Sequence, residues 1–388
     1  MTASSPSNAD TFSFHRAHPE VSAELHLQRR SKALGQALAN TRKIYLDVRF
    51  WLHLRDAERG RPRHPVHTQL LERFTALADR HLAVFPLSDA IALEVLKQKD
   101  LGTRQATARL IDRLGQGVAL TDEELRCRTE LAHFLHLGTP DIPVHPLKEL
   151  AWTCPMFVLG ARYPQQTPFP PETERVIQKA FIDRGWTIPF EQLLDSLKNL
   201  EDPVDDLADV ADRLNALNRE HEHELRTFQK AVIDEMVGVV DLMRETIADV
   251  RHRQYQHFSG STAAATPDEW ERHAQHGFSI VANAITAAPL QVGLRLPTPY
   301  IKAKCYAAVR WNRGQKLSGN DIYDFTHAAP AVGYCDAFFT DGPLARLLNS
   351  NQVNLAQEFG CLVESDEQAI ADYAAQLLGE PDPAPAVG

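Results

Sequence analysis

The sequence has no C-x-x-C pair, no apolar run long enough to span a membrane and no surplus of basic charge. Its five cysteines, Cys127, Cys154, Cys305, Cys335 and Cys361, are odd in number and widely spaced. That pattern argues against a disulfide framework and against a zinc ribbon, and reads as buried thiols in a reducing cytoplasm. No window approaches the ~18 apolar residues that a membrane helix needs. The opening MTASSPSNADTFSFHRAHPE lacks the apolar core of a secretory signal. The expectation is a soluble, cytoplasmic protein without a membrane partner. With 41 Lys and Arg against 51 Asp and Glu, the net charge is -10. A chain of that sign is not a generic nucleic-acid coat, although it is compatible with an enzyme that uses carboxylates to bind metal.

The 388 residues, 44% hydrophobic and 24% charged, have the ordinary make-up of a soluble protein of two or three domains. Residues 1–40 read as an N-terminal extension, disordered over about the first dozen, and the Pro-rich 379–388 as a disordered tail. Two blocks, 41–137 and 299–378, alternate strand and helix patterns. In the first, Lys43–Asp47, Leu82–Pro86 and Gly117–Leu120 read as strands. Helical spacing follows each, with Ser88 or Asp89 capping the helix through Lys97. In the second, Ala337–Asp341 and Gly360–Val363 read as strands, preceded by a helix capped at Ser318 or Asn320. Alternation of this kind implies a parallel sheet with helices on both faces. Neither block has enough strands alone. The reading is therefore one α/β domain with a five-stranded parallel sheet, interrupted by a large all-helical insertion over 138–298. Within the insertion, Pro203 to about Phe258 reads as one long helix or two, packed as a hairpin or bundle.

Ligands of open parallel sheets collect beyond the carboxyl ends of the strands. Asp47 and Asp341 end two expected strands, and Glu94 lies on the helix after the second strand. Asp321 and Asp324 lie one turn apart on the helix before the fourth, and Asp336 lies just before that strand. Singly, each reads as a helix cap or a solvated acid. Jointly they place several carboxylates at one edge, where like charges repel unless a cation intervenes. An oxygen-only ligand set suits Mg²⁺ or Mn²⁺, which can activate water and orient a phosphodiester.

The segments IYLDVRFWLHL around Asp47, FPLSDAIALEVLKQ around Glu94 and NDIYDFTHAAPAVGYCDAFFTD over Asn320–Asp341 resemble the PIN-domain nuclease family. The resemblance covers the two α/β blocks and not the insertion. It implies a Rossmann-like PIN fold and a divalent-metal-dependent endonuclease acting mainly on RNA. The metal-binding, catalytic acids it implies are Asp47, Glu94, Asp324 and Asp341, with Asp321 competing for the third place and Thr340 holding the water shell. Where many members carry Thr-Asn after the first Asp, this chain has Val48-Arg49. Arg49 then either contacts a phosphate or partly occupies the metal site. The basic stretch Lys302, Lys304, Arg310, Arg313 and Lys316 reads either as a phosphate-binding edge or as a solvated helix face. His327 reads as a core or supporting residue, and His221 and His223 as part of a solvated face. The rival reading is a PIN-like binding or scaffold protein without chemistry, using the insertion for partner or self-association contacts. A phosphatase is disfavoured because no D-x-D follows the first strand.

Overall fold

Arg42–Leu46 forms β1, a short β-branched and aromatic run whose last three residues are fully buried. A strand buried on both faces needs helices above and below it, and the chain supplies them. The computed structural model describes residues 8–142, 144–197, 207–221, 223, 226–312 and 314–379. Helices α1 (Asn8–Ala17) and α2 (Ala23–Ala37) precede β1. After it come α3 (Val48–Glu58), α4 (Pro65–Asp79), β2 (Ala83–Val84), α5 (Asp89–Leu96), α6 (Leu101–Gly115), β3 (Ala119–Leu120) and α7 (Glu123–His136). The last part of the chain supplies α15 (Pro297–Trp311), α16 (Gly319–Tyr334), β5 (Ala337–Phe339), α17 (Gly342–Asn349), α18 (Leu355–Phe359), β6 (Leu362–Glu364) and α19 (Glu367–Leu378).

The fold is α/β and mostly helical, around a small parallel sheet of four strands in the order β2-β1-β5-β6. The two central strands come from opposite ends of the sequence. Their register pairs Tyr45 with Phe338 and Leu46 with Phe339. Side chains alternate across a strand, and the ring contacts follow that period. Phe339 meets Phe50 of α3, Phe74 of α4 and Tyr373 of α19. On the other face Tyr45 meets Phe338 and His327 of α16.

The expectation of five parallel strands is corrected. Gly117–Leu120 does contain a strand, β3, but it pairs antiparallel with β4 (Trp152–Thr153) in a separate two-stranded sheet. One parallel bridge, Leu87 to Ala119, is what links it towards the main sheet. The local cause is visible in the hydrogen bonding. The N–H of Phe85 turns to the carbonyl of Leu114, and Pro86 has no N–H to give. Pairing along β2 therefore stops before β3 can join as a full neighbour. The presence of β4 also corrects the all-helical description of the insertion.

The insertion continues with α8 (Pro171–Gly185), α9 (Phe190–Leu197), α10 (Leu207–Glu220), α11 (Phe228–Leu242), α12 (Arg244–Ser259), α13 (Pro267–Ala287) and α14 (Pro289–Gly293). The stretch read as one or two helices is thus three within its described part, and residues 203–206 lie outside it. These helices are built onto the α/β unit. α11 packs on α15, α10 on α16, and α12 on α7. Asn215 of α10 grips Leu317 at both backbone groups, at 2.8 and 2.9 Å, immediately before the Ser318 cap of α16. The buried Glu130 of α7 accepts hydrogen bonds from the backbone and hydroxyl of Thr298 and from the hydroxyl of Tyr334. It thereby joins the end of the first block to the start of the second.

Helix α1 begins at Asn8, inside the stretch expected to be disordered. Lys179 donates to the carbonyls of His15 and His18, satisfying backbone groups that a free helix end would leave to water. Residues 1–7, and the tail from 380, lie outside the described residues. All five cysteines are buried free thiols. Among the described residues no helix is long and apolar enough to cross a membrane.

Candidate functional site

The parallel arrangement carries β1 and β5 to the same edge, where Asp47 and Thr340-Asp341 follow directly. The N–H of Asp47 donates to the carbonyl of Phe339 at 3.0 Å, extending the ladder by one step. By the two-residue period, Asp47 and Thr340 face the same side as Tyr45 and Phe338, the side covered by α16. There the hydroxyl of Thr340 donates to Asp47 Oδ2 at 2.9 Å. The other oxygen, Oδ1, accepts the N–H of Arg49 at 3.2 Å, which makes Asp47 the N-cap of α3. Asp341 similarly caps α17 through the N–H of Leu344.

Asp324 stands on α16, one turn before His327. Burial first, then the charges of Asp341 and Asp47, push its carboxyl from the ordinary aspartate range up to about 7, with His327 pulling the other way. Three aspartates from two strand ends and one helix therefore share one electrostatic environment. Glu94 enters through His327, whose Nε2 lies 2.6 Å from Glu94 Oε1. The other ring nitrogen, Nδ1, lies 2.8 Å from the hydroxyl of Tyr45, which lies 2.6 Å from Ser88 Oγ. Burial alone would lower the His327 pKa. The bond to Glu94 and the charges of Glu94, Asp47 and Asp324 outweigh it and raise the pKa above the usual value. A doubly protonated ring fits every partner: Nε2–H donates to Glu94 and Nδ1–H to Tyr45, which donates onward to Ser88. Ser88, not Asp89, is the N-cap of α5.

Other expected residues lie elsewhere or are already engaged. Asp321 forms a capping box with Ser318, accepting from its N–H at 2.7 Å and its hydroxyl at 2.6 Å. It adds the smallest of the named repulsions on Asp324. Asp336 lies at the opposite end of β5, where it accepts from the N–H of Lys43. Arg49 does not enter the acid cluster. Its guanidinium pairs with Glu367 at 3.0 Å. Three members of the basic stretch expected at a phosphate-binding edge are ion-paired within the protein. Arg310 pairs with Glu235 of α11, Lys302 with Glu123, and the buried Lys304 with Glu358. Lys316 is exposed, and Arg313 lies outside the described residues.

One cation was missed in the sequence. Lys97 lies one turn after Glu94 on the same chain segment. Its ammonium contacts the hydroxyl of Tyr323 and lies 3.9 Å from the centre of that ring. Lys97 therefore packs against α16, the helix that carries Asp324 and His327. The i, i+3 spacing from Glu94 was the available signal.

The four acids do not form a closed cage. Among the described residues, the sets of three ligand atoms lying within 4.8 Å of one another are His15, His26 and Asp183, and His53, His67 and Glu367. A shallow cleft lined by Phe339, Ile370 and Tyr373 lies on the other face of the sheet and includes none of the four. Compared with protein-family models, with curated proteins and with solved structures, the chain matches none.

Proposed function

We propose that the chain is a divalent-metal-dependent endonuclease of the PIN-like kind, hydrolysing phosphodiester bonds, chiefly in RNA. The observation that carries this reading is the gathering of Asp47 and Asp341 at one sheet edge with Asp324, whose carboxyl burial first, and then the charges of Asp341 and Asp47, push up to about 7. An all-oxygen donor set of that kind suits a hard cation. Asp47, Asp324 and Asp341 are the residues to hold Mg²⁺ or Mn²⁺, with Glu94 brought in by release from His327. When bound, such an ion supplies water activation and stabilisation of the leaving oxygen.

The chain's own groups do the rest. Thr340 and the N–H of Arg49 fix the rotation of the Asp47 carboxylate. His327 pairs with Glu94 until the metal enters and neutralises part of the negative charge. Lys97, which follows Glu94 at the end of α5, draws the phosphate backbone against the net acidity of the protein. The test is cleavage of single-stranded RNA with Mn²⁺ added or chelated, comparing wild type with Asp47→Asn and Asp324→Asn. Loss of cleavage in both variants and on chelation is expected. Equal rates in all three proteins would end the proposal.

A second reading, a binding protein that keeps the fold without chemistry, is favoured by the Glu94–His327 bond and by the internal pairing of Arg310, Lys302 and Lys304. Titration calorimetry with Mn²⁺ separates the two. Absence of binding at millimolar metal selects the second.

A further inference from the structure

His53 of α3, His67 of α4 and Glu367 at the start of α19 present three ligand atoms within 4.8 Å of one another. His67 Nε2 lies 2.9 Å from one Glu367 oxygen and His53 Nδ1 3.4 Å from the other. The two imidazoles are stacked, with centroids 4.3 Å apart. His67 is almost fully buried, and the side chain of His53 is 12% exposed. His53 Nδ1 is screened from solvent yet makes no hydrogen bond, although it faces the carboxylate. Tetrahedral zinc with ligands at 2.0–2.2 Å needs ligand atoms separated by about 3.4 Å, close to the spacing already present.

The other such set differs. Asp183 there accepts from His15 at 2.7 Å, His26 at 2.8 Å and Arg30 at 3.1 Å, so its ring nitrogens facing the carboxylate are all in use. That set is accounted for as an ion-paired joint between the N-terminal helices and α8.

We propose that His53, His67 and Glu367 bind one transition-metal ion of the Zn²⁺ class, separate from the carboxylate cluster, and that this ion clamps the last helix of the chain to the first two helices after β1. Two imidazole nitrogens and one carboxylate select Zn²⁺ or Co²⁺ over Mg²⁺. Three protein ligands leave a fourth position for water. The guanidinium of Arg49, 41% exposed and bonded to the Glu367 oxygen that faces His53, competes with the ion and swings to solvent when it binds. His67 Nδ1 has no partner to support the ring, so affinity is expected to be about 10–100-fold below that of a fully supported site.

The experiment is calorimetric titration of the metal-stripped full chain with Zn²⁺, paired with Co²⁺ absorption. Wild type is expected to bind one ion here with a tetrahedral Co²⁺ spectrum. His67→Gln and Glu367→Gln should each weaken binding at least about tenfold. Arg49→Gln should tighten it several-fold, a change that a purely structural cluster would not produce. His26→Gln and Asp324→Asn should leave it unchanged, so failure of the nuclease reading leaves this site standing. No Zn²⁺ binding in wild type, binding indifferent to Glu367→Gln, or no tightening in Arg49→Gln overturns the proposal. The Arg49 variant and the wild-type Co²⁺ spectrum still decide the matter if the histidine variant does not fold.

Discussion

The hydroxyl of Thr340 donates to the carboxylate of Asp47 at 2.9 Å across 293 positions of sequence, locking together the ends of the two central strands. Thr340 is fully buried and Asp47 only partly so, which leaves the bond part-buried at the sheet edge. Thr340→Val keeps the volume and removes the donor. It is expected to cost about 1 kcal/mol of stability and to weaken Mn²⁺ binding about tenfold, as loss of a supporting contact does. Denaturant unfolding and calorimetry read the two effects separately. Unchanged metal affinity would show that the bond serves only the sheet.

Asp324 predicts an unusual gain. Its folded-state pKa is raised, to about 7 from an ordinary 3.8, so the folded chain binds the proton more tightly than the unfolded chain. The stability tied to that proton is full below about pH 4 and is lost as pH rises through about 7. Asp324→Asn mimics the protonated form. Allowing for screening of a half-buried group, it should stabilise the metal-free protein by about 1–3 kcal/mol near pH 8. Near pH 4 the two proteins should unfold at the same denaturant concentration. A destabilised variant at pH 8 would mean that favourable contacts to the carboxylate outweigh its burial and the neighbouring charges.

Glu130 acts in the same pH window through a different part of the fold. Burial raises its pKa to about 7 against the pull of Thr298, Tyr334 and Arg126. Its stabilising contribution is therefore complete below about pH 4.5 and declines as pH approaches 7. Glu130→Gln should flatten that decline. Glu130→Ala should cost about 2–4 kcal/mol, because it strands the Tyr334 hydroxyl and the Thr298 N–H in the core. Thermal unfolding across pH 4.5 to 7.5 measures both.

Lys97 tests the substrate side. Lys97→Met keeps the aliphatic stem over Tyr323 and removes the charge. With cleavage-blocked RNA, affinity should fall several-fold, and the slope of log K against log salt should flatten by about 0.7, the loss of one phosphate contact on a single strand. An unaltered salt slope would remove Lys97 from the interface.

The strand ends were legible in the sequence because an apolar run closing on Asp, as at Ile44-Tyr45-Leu46-Asp47, carries its own boundary. The helix carrying Asp324 was legible for a similar reason, since Ser318 and Asp321 are a cap signal. Period-two alternation also accounts for Asp47 and Thr340 sharing a face. What the sequence concealed was pairing between distant segments. Nothing local to Arg310, Lys302 or Lys304 announces Glu235, Glu123 or Glu358. Arg49 beside the first acid gives no hint that Glu367, from the far end of the chain, draws it away. β3 has an ordinary strand pattern, and only a partner in the insertion, Trp152-Thr153, makes it antiparallel. His53 and His67 lie on separate helices, and the carboxylate that unites them is some 300 positions away.

The order β2-β1-β5-β6 also sets a timetable for biogenesis. β1 leaves the ribosome early, but its inner edge at Ile44–Leu46 has no partner until Ala337–Phe339 is made. At typical elongation rates of ~5–20 residues per second, that delay is ~15–60 s. Through that interval an apolar strand edge is open to other nascent chains, a standing invitation to mispairing. Loops of this size also slow folding after release, since closure entropy must be met before the strand pair rewards it. Until β5 is made, the unpaired inner edge of β1 is thus a place where this chain can mispair during synthesis.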